Sequence, residues 1–171
     1  MADRILEIGG YSAGFAGRLF AQTGHQVTRI ENSPGPAWAS QLAMSLFLHA
    51  NKRRLQVKQD DLAELAAQAD IVVLQAETAE AAEAFEFERW STPVKVVITP
   101  FGLTGPKRNW HATSSTLLAM GGYSQLIGDA GRAPLSLPGH YVEFQGAQFA
   151  FTAANACRYA GDTNTIDISL Y

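Results

Sequence analysis

The sequence predicts an α/β fold, an open and mostly parallel sheet with helices on both faces. Three observations lead there. Strand-like runs recur at Arg4 to Ile8, Gln26 to Glu31, Leu55 to Val57, Ile71 to Gln75, Val94 to Thr99 and Thr165 to Leu170, with helical patterns in most of the gaps. Two of these runs, around Ile71-Val72-Val73-Leu74 and Val94-Lys95-Val96-Val97-Ile98, are apolar enough for central strands covered on both sides. The turn Gly9-Gly10-Tyr11-Ser12-Ala13-Gly14-Phe15-Ala16-Gly17 separates the first strand from a helix and a second strand ending in Glu31, the order of a mononucleotide-binding unit. The architecture expected is therefore Rossmann-like, in one domain spanning residues 1–171.

Each element has a local reason. Phe15, Leu19 and Phe20 share one face of the first helix, and Gly24 follows it where a left-handed cap is expected. Ala37 to Leu48 reads as a second helix, and Asp60 to Ala69, opened by two carboxylates suited to a helix amino end, as a third. Glu77, Glu80, Glu83, Glu86 and Glu88 mark Ala76 to Glu88 as a solvated helix face. Pro100 to Pro106 is a loop leaving the carboxyl end of a strand, the edge where open α/β sheets bind ligands, so Phe101 and Gly102 are candidate site walls. Thr113 to Met120 and His140 to Tyr159 read as helices, with a loop at Gly128 to Pro138 between them.

Composition narrows the class of function. With 171 residues, 47% hydrophobic and 17% charged, the chain can fill one soluble core. A net charge of −3 gives no general attraction to nucleic acid or anionic membrane, so an anion site has to be local. No run approaches the length of a membrane span and no signal peptide is visible, which makes a cytoplasmic location the default expectation. Cys157, the only cysteine, sits among alanines and reads as a small buried residue. The four histidines lack metal-ligand spacing, so no metal is expected.

Several segments taken in order resemble class III CoA-transferases, the superfamily of formyl-CoA transferase, carnitine CoA-transferase, bile-acid-inducible protein F and α-methylacyl-CoA racemase. Ala13-Gly14-Phe15-Ala16-Gly17-Arg18-Leu19 is similar to AGPxxGRLL, and Gly24 to Glu31 to GADVIKVE. Asn51-Lys52-Arg53-Arg54 resembles the NKRS turn, Ala69 to Val73 resembles ADVVV, and Phe101 to Pro106 resembles GFGQTGP. Leu126 to Asp129 with Pro134-Leu135 resembles LTGDPDGPPL. The resemblance implies an acyl-CoA and a carboxylic acid as substrates, coenzyme A being gripped by Lys52 and Arg53 at its phosphates and by Ser12, Ala13, Gly14, Glu31, Phe101 and Gly102. It also implies a nucleophilic carboxylate at the start of the helix after Pro134-Leu135. The matching position is Glu143, where the family has aspartate, with His140 three residues earlier on the same helix side.

Two departures accompany the match. The His-Asp pair of the racemases is replaced by Thr113-Ser114, which demotes racemization. Family chains run to about twice this length and interlock as dimers, so a fragment, a truncated product or one piece of a split enzyme is expected, with a homo-oligomer or a partner chain supplying the remainder. From the residues alone other readings stay open. Glu143 can simply complement a helix amino end, and the basic turn can be solvated. Ser12-x-Gly14-x-x-Gly17 with Glu31 also fits an NAD(P)-binding module lacking its first glycine, and a catalytically silent scaffold fits the substitution at position 143.

Overall fold

A computed structural model of the chain describes residues 2–31, 42–129 and 131–171. Six parallel strands form one sheet in the order β3-β2-β1-β4-β5-β6: β1 Arg4–Ile8, β2 Gln26–Ile30, β3 Arg53–Leu55, β4 Ile71–Gln75, β5 Val94–Thr99 and β6 Asn164–Ser169. The helices among the described residues are α1 Tyr11–Gln22, α2 Leu42–His49, α3 Leu62–Ala67, α4 Ala79–Glu83, α5 Ser114–Met120, α6 Tyr123–Leu126 and α7 Tyr141–Ala160. This is the doubly wound order expected for a Rossmann-like sheet.

The alternation of each strand explains the two layers. Ile5, Val27, Ile71, Val73, Val94, Val96 and Ile98 point to one face, where α1 supplies Ala13, Ala16 and Phe20 and α7 supplies Ala147, Ala150 and Ala154. Leu6, Ile8, Ile30, Val72, Leu74 and Val97 point to the other, against Leu62 and Ala66 of α3, Ala82 of α4, Phe87 and Trp90. Burying each such aliphatic side chain stabilises the fold by ~1.5–3 kcal/mol relative to exposure. Small residues on α1 and α7 let the two helices share one face. A third cluster of Phe101, Leu117, Leu118 and Val142 ties the loop after β5 to α5 and α7.

Boundaries moved where tertiary pairing overrode local pattern. β3 lies two residues earlier than the apolar spacing suggests: β2 pairs Thr28 with Arg53 and Ile30 with Leu55, and Glu31 N–H donates to Leu55 C=O at 2.8 Å. At a sheet edge Arg53 and Arg54 cost nothing by staying exposed. The third helix is a 3₁₀ turn at Gln59–Asp61 followed by α3, which stops so that Asp70 N–H can bond Arg4 C=O at 2.8 Å. In the acidic stretch all five glutamates are exposed, yet the helix is confined to α4 because Ala79, Ala82 and Phe87 dock on the sheet and Glu86 turns at φ 53°. Residues 37–41 of the expected second helix lie outside the described residues.

Candidate active site

Between β1 and β4 the chain changes its direction of winding, and a cleft of about 830 Å³ opens at the carboxyl ends of the strands there. Its floor is the turn after β1. Gly9, at φ +125°, admits the end of β4: a Cβ would stand 2.6 Å from Gln75 C=O. The Gln75 side chain then accepts a hydrogen bond from Ala13 N–H at 3.0 Å, fixing the first turn of α1. One wall carries Arg29, Glu31 and Arg54 from the ends of β2 and β3, with Arg54 Nε 3.0 Å from Glu31 Oε1. The opposite wall carries His111, Thr113, Ser114, Thr116 and Glu143.

Glu143 stands in the first turn of α7, where a carboxylate complements the partial positive charge of a twenty-residue helix by ~0.3–1 kcal/mol. Ser114, held at the start of α5 by the Thr113 cap on Thr116 N–H, donates its hydroxyl to Glu143 Oε1 at 2.5 Å. Oε2 is buried and accepts no hydrogen bond among the described residues, an arrangement that costs ~1–3 kcal/mol. His140 Nδ1 lies 3.9 Å from Oε1, and its ring stacks on Tyr11 with centroids 3.5 Å apart. Burial and the nearby charge of Glu143 push the Tyr11 phenol above its usual value, so it stays protonated at neutral pH.

Beneath the floor lies a second polar cluster. Glu7, fully buried, is paired in register with Arg29 on β2. Its carboxylate accepts from Arg29 on one oxygen and from Lys52 on the other. Arg29 also donates to Gly9 C=O at 3.1 Å and Lys52 to Gly14 C=O at 2.7 Å, so the two cations tie down both sides of the turn. Burial, reinforced by Arg29, Lys52 and Arg54, drives the His49 imidazole down to about 2, and it is neutral here. Burial also lowers Lys52, against the opposing pull of Glu7. Gly17 exists for this cluster, since a Cβ there would lie 1.9 Å from Glu7 Oε2.

Of the residues expected at the site, Glu31 and Glu143 line the cleft and His140 stands behind Glu143. Lys52, expected at the phosphates, is wholly enclosed, and Arg53 is exposed outside the cleft. Because strand neighbours face opposite ways, Arg54 is the residue of that turn that reaches the cleft. Ser12, Ala13 and Gly14 are buried under it, and the small size of Gly14 admits Leu48 and His49, a Cβ there meeting His49 at 3.2 Å. Phe101 and Gly102 belong to the packing behind the wall, Gly102 facing the Asp167 carboxylate, while neighbouring Pro100 lines the cleft. Arg29, Gln75, His111 and Ser114 were missed. A polar residue closing an apolar strand was the available signal for Gln75. For Ser114 the available signal was its place, with Thr113, at the His-Asp pair of the racemases. Cys157 is half-buried, with Sγ 3.6 Å from Asp162 C=O. Among the described residues no cluster of three or more His, Cys, Asp or Glu is arranged to hold a metal, and no helix is long and apolar enough to cross a membrane.

Comparison with known proteins follows the same lines. The CoA-transferase family III matches residues 3–171. A CaiB/BaiF family protein from Brucella suis is similar in structure, with TM-score 0.82 at 18% identity, over 98% of this chain and 52% of that one. Two crystal structures of Rv3272 from Mycobacterium tuberculosis give TM-scores of 0.83 at 18% and 19% identity, over 99% of this chain and 52% and 53% of theirs. The chain thus spans about half the length of these solved chains, and at such identities the likeness shows the fold alone. No curated protein matches the sequence.

Proposed function

The chain belongs to CoA-transferase family III, and from that premise we propose that its cleft receives an acyl-CoA and that Glu143 is the carboxylate that accepts first the acyl group and then CoA. The supporting observation is that Glu143 shares one cleft, at the switch point of the sheet, with Arg54 and Glu31. Arg54 offers a guanidinium for a phosphate, and Glu31 an acceptor for a ribose hydroxyl. A carboxylate is a weak nucleophile in water; held beside a thioester it gains the advantage of proximity.

The chemistry balances in three steps. A Glu143 oxygen attacks the thioester carbonyl, the C–S bond breaks and CoA leaves as thiolate, giving a mixed anhydride. The thiolate then attacks Cδ of Glu143 and expels the donor acid as its carboxylate, leaving a glutamyl-CoA thioester. An acceptor carboxylate reverses the sequence and departs as the new acyl-CoA. Incubation with acyl-CoA followed by intact-mass measurement should show an adduct on the wild type and none on Glu143→Gln; CoA binding without any adduct would defeat the reading.

One observation favours the silent-scaffold reading. Oε2 of Glu143 is buried in the protein, and Oε1 is held by the Ser114 hydroxyl. The same experiment decides between the two. An NAD(P) module draws less support, because Gly14 packs against Leu48 and His49 of α2 and Gly17 against Glu7, which accounts for these two glycines without an approaching pyrophosphate. Parallel titrations with CoA and NAD separate these readings. A homo-oligomer or a partner chain that completes the site is part of the proposal, and sedimentation showing a monomer fully active alone would remove it.

A further inference from the structure

We propose that Ser114 is the hydrogen-bond donor that stabilises negative charge on the Glu143 carbonyl oxygen each time Cδ is attacked; this rests on Glu143 being the nucleophile. The hydroxyl is 2.5 Å from Oε1, while Oε2 has no donor among the described residues. The two oxygens are therefore unequal. The oxygen that takes the acyl group is the one Ser114 does not hold, because engaging a lone pair in a short hydrogen bond weakens it as a nucleophile. Turning Oε2 from its cover toward the cleft is the movement acylation requires, and Oε1 remains the pivot.

Once Oε2 bears the acyl group, Oε1 is the carbonyl oxygen of the anhydride. When CoA thiolate adds to Cδ, the electron pair of the C=O bond moves onto Oε1, within reach of the Ser114 hydroxyl. Collapse restores the carbonyl and expels the carboxylate that contains Oε2. When the acceptor acid adds to the glutamyl thioester, charge returns to the same oxygen before CoA thiolate leaves. Donors placed where charge develops act most strongly in a site shielded from water, and loss of one typically slows the reaction ~10²–10³-fold. Ser114 is well placed for this. It opens α5 on a Thr113-capped turn, and Leu117 and Leu118 of the same helix are anchored with Val142 of α7, so the hydroxyl and the carboxylate share one rigid unit.

The test uses the full chain with a mixture of acetyl-, butyryl- and succinyl-CoA. Conversion of the Glu143 mixed anhydride to the glutamyl-CoA thioester and discharge of that thioester by added carboxylate are each timed by mass spectrometry, and CoA affinity is measured by calorimetry. Ser114→Ala should slow both steps about 100-fold while CoA affinity and thermal midpoint stay within experimental scatter, and Ser114→Thr should recover most of the rate. Equal rates in wild type and Ser114→Ala would overturn the role of Ser114 and leave Glu143 as nucleophile. Slower conversion with unchanged discharge would also overturn it, since orientation alone explains that result. Weakened CoA binding or a lowered midpoint in both variants would reduce Ser114 to a packing role. No adduct on the wild type would remove the nucleophile and this inference with it.

Discussion

Glu7 and Glu143 both stand near the carboxyl edge of the sheet and both have a histidine within 4 Å, but their surroundings are opposite in kind. Glu7 is sealed in the protein with a guanidinium and an ammonium on its two oxygens, and those cations hold the carbonyls of Gly9 and Gly14. Glu143 sits on the wall of an open cleft with one hydroxyl as its donor and one oxygen unmatched. A carboxylate whose lone pairs are all engaged by fixed charges stabilises geometry and has no capacity left for chemistry. One that is incompletely satisfied costs stability and keeps that capacity. The comparison also places Lys52, whose ammonium joins Glu7 to Gly14 C=O in the turn beneath the cleft.

Substitution at Glu7 should have the largest effect on stability. Glu7→Gln strips the counter-charge from two buried cations, and urea denaturation should report a loss of ~3–5 kcal/mol. A loss under 1 kcal/mol would mean that the cluster is better solvated than its enclosure implies. Gly17→Ala attacks the same cluster sterically by forcing a methyl group against Glu7, and should cost ~1–3 kcal/mol.

Acid should expose the same difference between the two regions. The folded value of His49, about 2, lies below its ordinary 6.5, so between those values the unfolded chain binds a proton that the folded one refuses. Stability from this residue is complete above pH 6.5 and falls as the pH drops, by up to ~1.4 kcal/mol per unit. The slope should flatten in His49→Gln, and an unchanged slope would assign the acid sensitivity elsewhere. Glu143→Gln should have the smallest effect, within ~1 kcal/mol of wild type, since it loses only the charge at the amino end of α7. A large loss there would recast Glu143 as a second structural carboxylate and sink the functional comparison.

Legibility followed the range of the interaction. Strand runs, the turn after β1, the long helix α7 and the position of Glu143 at its start were all readable, because alternation, glycine placement and helix-end charge are local properties. The family likeness was readable for a related reason: its motifs are short segments in a fixed order. The partners of those segments were not. Lys52, Arg53 and Arg54 are near-identical choices in the sequence; the pairing of β3 with β2 turned Arg54 to the cleft and Arg53 away from it, while Lys52, just before the strand, reaches inward to Glu7 and Gly14 C=O. Small residues permit close approach by anything, and only the fold shows that the neighbours of Gly14 and Gly17 are His49 and Glu7.

What the sequence by itself determined is the class of fold, the order of its elements and a carboxylate at position 143, all set by periodicity and spacing within a few residues. Tertiary structure alone decided that Glu7 closes an ion cluster below the turn and that Ser114, twenty-nine positions away in sequence, reaches Glu143. Hydrogen bonds and ion pairs depend on positions in space, and those are fixed only when β1, β2 and β3 are in register and α5 has packed against α7.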